Sequence, residues 1–510
     1  MQKFLIIISI FLLLFCISCK KDDDTSSLAI AISSEPPTLD VMVNTSLISR
    51  IVAVGNIYEK LFVLDGDGSI RTELADDYNF SPDGKRLEIR IREGVLFHDG
   101  KTMDVYDVVS SLNRWLEKYA VANSFVSGSR FEILDERTIV IDSPSSLILF
   151  PYIMASSPQS AIITEKSIID SLDSGELITK YIGTGPYKLS SWKSGDQIVL
   201  SRFEEYSQYG DSSNGLWGTK RANIETLDYK FVPDSVIRRI GLQSGQFDFI
   251  NDVMSEDRSY FEKDNGIYMI GGSESGSIAL VFNKKEGIGC DVDFRRAVSL
   301  SLDYDSIMKA CYGNYGYSLH SDYMEKEQTS WVVDDIDNPY KGQNRERAKE
   351  MLSKSSYRGQ KIRILTSNLS NLDKIALAIK SDFDKVGIEC EIITTDWTSM
   401  IEKRKDPSSW DIYISAYSKV SIPSMKSYLS STYPGWTDEE DVGMKILEKV
   451  NHSKSIEEAS DLWSEAQKDF WRSVPVVIPG HYITVYGARR ELEGVICQDG
   501  FFFWNAKKEE

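Results

Sequence analysis

Proton transfer near neutral pH is histidine chemistry, and this chain has only four: His98, His320, His452 and His481. They lie far apart, and no two have the spacing of a local metal motif, so a metal site is not expected unless folding assembles one. His98 precedes Asp99-Gly100, and Asp-Gly is the corner of a surface turn. Two adjacent acid pairs, Asp76-Asp77 and Glu204-Glu205, look like catalytic carboxylates at first sight. On a chain with 77 acidic against 58 basic residues they read as solvated surface. Gly183-Thr184-Gly185-Pro186 has the glycine density of a phosphate-cradling loop but lacks the Lys-Ser/Thr pair and the helix start of a P-loop. Cys290, Cys311, Cys390 and Cys497 include no CxxC pair, which argues against redox catalysis. In an oxidising compartment they form up to two disulfides, in any of three connectivities, or stay as four buried thiols. No nucleophile elbow, HExxH or Ser-x-x-Lys in a supporting context occurs. The reading therefore assigns no catalytic residue, no metal and no cofactor.

The elements around these residues describe a scaffold. At 510 residues, with 42% apolar and 26% charged side chains, the chain is globular and exceeds a single core. The formal charge of −19 repels phosphate backbones and excludes nucleic acid as a broad-face partner. A strand at 28–32 leads into a turn-rich stretch, and a helix is expected after it, ending near Lys60. Strict alternation in Leu87-Glu88-Ile89-Arg90-Ile91-Arg92 predicts a half-buried strand. Asp104 starts an amphipathic helix through 107–115, and strands follow at 138–142, 197–202 and 226–232. Pro233-Asp234 opens a helix that stops at Gly245. In the second half, helices at 293–302, from Asn344 through Met351-Leu352, at 372–386 and at 398–405 are interleaved with strands at 361–366, 388–394 and 411–416. Strand and helix alternate with short connections there, which predicts an α/β domain with a largely parallel sheet. Ligands of such sheets bind at the carboxyl ends of strands, here 395–397 and 416–420.

The N-terminus indicates the compartment. Lys3 precedes an apolar run from Phe4 to Ile17, fourteen residues and short for a bilayer span. This is a charged n-region followed by an h-region, hence a secretory signal. Ile17-Ser18-Cys19 ends it in the manner of a bacterial lipobox, with Cys16 where leucine is usual. The expectation is a signal peptide over 1–18, acylation of Cys19 and a polar tether over 19–27, placing the protein on a membrane in the cell envelope, on its periplasmic or extracellular face.

Four motifs carry a resemblance. The first is Glu35-Pro36-Pro37-Thr38-Leu39-Asp40 with Ile57-Tyr58-Glu59-Lys60-Leu61. The second is ELADDYNFSPDGKRLEIRIREGVLFHDGKTMDVYDVVSSLNRW over 73–115. The third is Gly183-Thr184-Gly185-Pro186-Tyr187 with Trp192 and Arg202, and the fourth is Phe282-Asn283 with FRRAVSLSLDYDSI over 294–307. A weaker match, LQSGQFD, falls at 242–248. In this order and spacing the chain resembles the peptide-type solute-binding proteins of ABC importers, the dipeptide- and oligopeptide-binding group.

The resemblance implies an α/β, two-lobe periplasmic-binding-protein fold, type II-like, with an extra inserted α+β domain. Lobe one would comprise 28–62, 187–280 and 482–510, with the insertion at 63–186; lobe two would be 281–481. In the family Gly183-Thr184-Gly185-Pro186 is a structural turn, and closure of the lobes on ligand is what the permease senses. Trp397 and Tyr417 are expected to line the pocket, each at or just past the end of a lobe-two strand and each at a position aromatic in the relatives. Thr45 and Leu47 should face them from lobe one, with Tyr482 at the second crossing. Peptide-binding relatives carry an aspartate just past Tyr417 that neutralises the ligand's ammonium; here the stretch is Ser418-Lys419-Val420, with Val420 or Lys419 at that position. A buried ammonium without a carboxylate is costly, so Lys403, Arg404, Lys405 and Lys419 favour a ligand bearing a carboxylate or phosphate. The function expected is that of a monomeric receptor delivering peptides to an ABC permease, without chemistry of its own. The alternatives are a nickel complex, haem or an oligosaccharide as ligand, or a surface lipoprotein serving as adhesin or signalling module.

Overall fold

The computed structural model describes residues 26–509 apart from 157 and 174; the expected signal segment, Cys19 and most of the tether lie outside the described residues. One eleven-stranded mixed sheet organises the chain. β1 (Ser27–Ile32) precedes a loop and α1 (Leu47–Ala53), a short helix capped by Ser46. The helix expected to reach Lys60 therefore stops seven residues early. Residues 54–60 instead turn back: the Gly55 and Tyr58 backbones bond each other.

A separate four-stranded antiparallel sheet follows, built from β2 (Ala75–Phe80), β3 (Arg86–Ile91), β4 (Phe131–Ile133) and β5 (Thr138–Asp142) in the order β2-β3-β5-β4. The helix α2 (Val105–Lys118) packs on it, with Asp104 as the expected cap. The chain then returns to the large sheet through β6 (Tyr187–Lys193), β7 (Gln197–Arg202) and β8 (Thr226–Phe231). Next come α3 (Ser235–Gln243), β9 (Phe249–Ile250) and the long β10 (Ile267–Phe282).

The second half runs through α4 (Val292–Ser301), β11 (Tyr317–Ser318), α5 (Arg345–Lys354) and β12 (Ile362–Ser367). It continues through α6 (Leu372–Val386), β13 (Cys390–Thr395), α7 (Trp397–Lys403) and β14 (Ile412–Ser418), and returns through β15 (Val476–Arg489). Gly387, at φ +85°, ends α6 in the left-handed conformation that glycine adopts without strain. β12 is parallel to β13 and β14, as alternation with helices requires, whereas β14 runs antiparallel to β10. All four cysteines in the described residues are free thiols.

The strand order is β13-β12-β14-β10-β15-β9-β1-β8-β7-β6, with β11 pairing β15. β10 and β15 are central and pair antiparallel over their whole length. β15 pairs β9 on one side of the molecule, through Gly487 and Ala488, and β10 pairs β14 on the other, through Gly276 to Phe282. Between these halves the register slips at Gly271/Glu274 and again at Glu274/Gly276, which is how bulges bend and twist a ladder. At Gly276 a Cβ would lie 2.0 Å from the Tyr417 carbonyl oxygen, so only glycine fits.

Remote motif residues meet as buried ion pairs. Asp40 takes a two-pronged bond from Arg114 of α2, at 2.6 and 3.1 Å, and also accepts the Ile178 N–H at 2.9 Å. Lys220 sits between Glu59 (3.1 Å) and Glu73 (2.5 Å), all three buried. Glu35 accepts the Trp192 indole N–H at 2.7 Å and the Gly195 N–H at 2.9 Å. Gly183 and Gly185 press against the 56–57 backbone, where a Cβ would meet Ile57 and Asn56 carbonyl oxygens at 2.0 and 2.1 Å. The glycine-rich stretch is thus a backbone contact, not a phosphate loop. His98 is not confined to a surface turn. Its backbone N–H donates to the Gly183 carbonyl and its ring Nε2 bonds the Gly185 carbonyl, each at 3.0 Å, while burial lowers its pKa to about 4.

Breaking a buried pair leaves a charge unpaired in a dry interior and costs about 3–5 kcal/mol. Arg114→Ala should lower the urea midpoint by that amount of stability, and Arg114→Lys, which lacks the fork, should fall between. An unchanged midpoint in Arg114→Ala would show that Asp40 does not depend on its partner.

Candidate functional site

Where the two halves of the large sheet part, a cavity of about 160 Å³ opens over the crossing strands. From the first half, Thr45, Leu47 and Arg50 enter from the loop before α1 and from α1 itself. From the second half, Ser418, Lys419, Val420 and Ser421 enter past the end of β14. Ser275, Tyr482 and Thr484 rise from the crossing strands between them, and Asp499 with Gly500 closes the C-terminal side. Ser275 and Thr484 hydroxyls bond each other at 3.0 Å across β10 and β15.

Six of the expected site residues therefore share one cavity: Thr45, Leu47, Ser418, Lys419, Val420 and Tyr482. Trp397 and Tyr417 do not line it. Trp397 opens α7 beyond β13, the edge strand three positions from β10, roughly 14 Å away at the usual strand spacing. It remains 38% exposed. Side chains alternate along β14, so Tyr417 turns to the face opposite Ser418. There its hydroxyl bonds that of Tyr413, and its ring meets Tyr428 edge-on at 4.8 Å. Of the other expected cations, Arg404 is held by the Tyr433 hydroxyl at 2.7 Å and Lys405 by Glu402 at 2.8 Å; Lys419 alone of that group reaches the cavity.

Arg50, Ser275, Thr484 and Asp499 were not anticipated. Arg50 had a signal: it is the lone charge in Leu47-Ile48-Ser49-Arg50-Ile51-Val52-Ala53, where neighbours on both sides are buried. Burial lowers its pKa, with the fields of Asp499 and Tyr482 opposing. Behind it a 30 Å³ void separates it from Lys60, Lys220 and Trp504. Lys60 donates to the Ala155 carbonyl at 2.6 Å, and burial brings its pKa down to about 8 against the fields of Glu73 and Asp499.

A second polar cluster occupies the bulge itself. Glu274 is fully buried; His320 Nε2 lies 3.1 Å from each of its oxygens, and the Lys326 N–H donates to it at 2.8 Å. The Ser318 hydroxyl also donates to it. His481 gives its Nε2 proton to the Asp322 carbonyl at 3.0 Å, which leaves Nδ1 as a lone pair 3.7 Å from Glu274. So folding does bring two of the four separated histidines and an acid together, with donor atoms within 4.8 Å of one another. The two rings nevertheless stack at 3.9 Å and 13°. Lone pairs lie in the ring plane, so those of two stacked rings run side by side and cannot meet at one ion. The cluster is arranged to hold a proton. Burial alone would raise the Glu274 pKa, but the His320 hydrogen bond and the two imidazole fields take it down to about 2. Burial opposes charge on His320, yet the Glu274 bond and field, with those of Asp322 and Asp335, raise its pKa overall. His481 is driven down to about 3 by burial, then by the charge on His320.

Two halves on shared strands with a polar cavity between them define a two-lobe solute-binding protein. The chain belongs to the bacterial extracellular solute-binding proteins, family 5, whose middle-region family model matches residues 69–439. It is 24% identical over 488 residues to the "Probable peptide ABC transporter periplasmic-binding protein y4tO" of Sinorhizobium fredii, covering 92% of this chain and 91% of that one. It is 25% identical over 425 residues to the oligopeptide-binding protein AppA of Bacillus subtilis, covering 77% and 73%. The structure of the periplasmic binding protein DppA of Helicobacter pylori, in complex with the peptide STSA, superposes with a TM-score of 0.74 at 20% identity, over 95% of this chain and 98% of that one. No described helix is long and apolar enough to cross a membrane.

A base whose pKa is raised by folding contributes stability below its unfolded value of 6.5 and loses it as pH climbs through the folded one. The stability difference between wild type and His320→Gln should be full at pH 5.5 and shrink on going to pH 8.5, measured by urea unfolding. A difference that stays constant with pH would rule out the charged His320–Glu274 pair.

Proposed function

We propose that this protein is an extracytoplasmic receptor that captures short peptides between its lobes and hands them to an ABC permease, held at the membrane by lipid on Cys19. The observation that carries this reading is the cavity: residues from both halves of the sheet wall it, and both halves hang on two shared strands. The lobes would comprise 28–62, 187–280 and 482–510 with the 63–186 insertion, against 281–481, working as a monomer. Relatives named for peptides and oligopeptides support the ligand class. The apolar run ending in Ile17-Ser18-Cys19 supports the anchor.

The driving free energy is differential affinity. A ligand touching Thr45 and Leu47 on one side and Ser418 to Ser421 on the other makes both sets of contacts only when the lobes are closed, so it shifts the population toward closure. The bulged stretch 271–276 and its partner 482–485 absorb the rotation.

Small-angle scattering with and without a random tripeptide library, at saturation established by native mass spectrometry, should give a smaller radius of gyration with peptide. An unchanged profile at saturation would dismiss closure. Cys19→Ala should move the protein from the detergent phase to the aqueous phase in a Triton X-114 partition, or leave an uncleaved precursor. Wild-type partition and migration would remove the lipid anchor.

A further inference from the structure

The two lobes meet a second time, through residues that lie outside the cavity lining. From the insertion side come the tip of the hairpin between strands Phe62–Leu64 and Ile70–Thr72, and Tyr152 of the short helix Phe150–Ala155 packed on that hairpin. From lobe two comes the stretch 327–331, in the segment that follows β11. Tyr152 meets the Trp331 ring edge-on at 5.7 Å, and the two side chains are only 5% and 1% exposed. The Asp67 carbonyl accepts both the N–H and the hydroxyl of Thr329, each at 3.3 Å. Gly68 lies so close that a Cβ there would stand 3.0 Å from the Gln328 Cα. Nearby, the Ser146 hydroxyl donates to the Ser453 carbonyl at 2.8 Å.

Each side of this contact is fixed within its own lobe. Asp65 holds the hairpin tip by accepting the Asp67 and Ser69 N–H groups, each at 3.0 Å. In lobe two, the helix Ile456–Ser473 carries Ser460, Trp463, Gln467 and Trp471 at spacings of three and four, hence on one face. Ser460 donates to the Ser330 carbonyl at 2.6 Å, Trp463 to the Trp331 carbonyl at 2.8 Å and Trp471 to the Ser321 carbonyl at 3.0 Å. Gln467 accepts the Tyr323 N–H at 3.2 Å. The segment therefore travels with lobe two. One bond ties it to the cavity wall: buried Gln328 donates to the Val420 carbonyl at 2.7 Å.

We propose that segment 319–333 is a latch, which docks on the insertion through Trp331 and Thr329 and holds a fraction of the molecules closed before ligand arrives. This rests on the two-lobe binding reading and adds what sets its closed population. Opening uncovers two aromatic rings and takes Thr329 away from the Asp67 carbonyl, so the contact stabilises the closed form alone. Because it involves no ligand atom, it raises the fraction of binding-competent molecules, and apparent affinity scales with that fraction. Gln328 puts the latch and the cavity wall on one segment, so a displacement of Val420 is passed to its neighbour Thr329.

Single-molecule energy transfer tests this, with dyes on unnatural amino acids at two exposed positions, those of Tyr106 in the insertion and Leu377 in lobe two. Wild type, Tyr152→Ala, Thr329→Glu and Thr329→Lys are compared without ligand and then with a random tripeptide library. Wild type should show a closed population without ligand. Tyr152→Ala should lower the closed-to-open ratio roughly tenfold, and tripeptide affinity should fall by up to the same factor. Thr329 and Asp67 are both exposed, so Thr329→Glu sets like charges together and should lower the ratio, whereas Thr329→Lys should raise it. Both charge effects should shrink in about 1 M salt. A wild type with only open molecules in the absence of ligand, or an unchanged ratio in Tyr152→Ala, would overturn the latch. A ratio that falls in Tyr152→Ala while tripeptides bind neither protein would keep the latch and dismiss peptides as the ligand. If Tyr152→Ala fails to fold, the opposite responses of Thr329→Glu and Thr329→Lys decide, and no response in either would overturn the latch.

Discussion

Two strands are shared by both halves of this molecule, and most of its other features follow from that. β10 and β15 pair continuously, so the halves cannot separate without breaking backbone hydrogen bonds in the centre of a sheet. The ladder is irregular around Gly271 to Gly276 and again between Ile278 and Leu280. Gly276 is required because the β14 backbone comes too close for any side chain. The cavity forms over this irregularity, with Ser275, Tyr482 and Thr484 of the crossing strands among its lining residues.

The same stretch carries the densest buried charge. Placing Glu274 in the bulge takes a carboxylate out of water, which is tolerable only with donors on every side. His320, Ser318 and the Lys326 N–H supply them, while burial and the charge on His320 keep His481 neutral. Beyond it Lys426 neutralises Glu325 at 3.0 Å, both fully buried. Glu274, His481 and Ser318 stand on β10, β15 and β11, His320, Glu325 and Lys326 on the loop after β11, and Lys426 on the segment after β14, so the cluster ties these loops to the two central strands.

Farther from the crossing, single ion pairs do a similar job for the insertion. Asp40 with Arg114, and Lys220 with Glu59 and Glu73, join segments separated by many tens of residues. They show how separate motifs meet: Asp40 and Arg114 lie in different motifs, as do Glu59 and Glu73, which Lys220 joins. Glu35 with Trp192 and Gly183 with Ile57 follow the same pattern.

What could be read from the amino-acid order alone was whatever depends on near neighbours. Caps and periodicity located α2, α3, α6 and the β12 to β14 alternation, because a helix start needs an acceptor three residues back and a buried face needs 3.6-residue spacing. The scattered motifs indicated two lobes and placed Thr45, Leu47, Ser418, Lys419, Val420 and Tyr482 around one cavity. Tertiary structure alone decided the rest. Whether Tyr417 or Ser418 faces the cavity depends on which face of β14 meets the crossing strands, and Trp397 lies away from it because β13 is at the sheet edge. Histidines 161 positions apart in sequence, His320 and His481, stack only because β11 and its following loop fold back onto β15. Arg50 looked like a stray charge in an apolar helix until the C-terminal loop and β14 closed around it. Burial and long-range contact have no local signature, since they are set by strand order and by which distant segments fill the space beside a side chain.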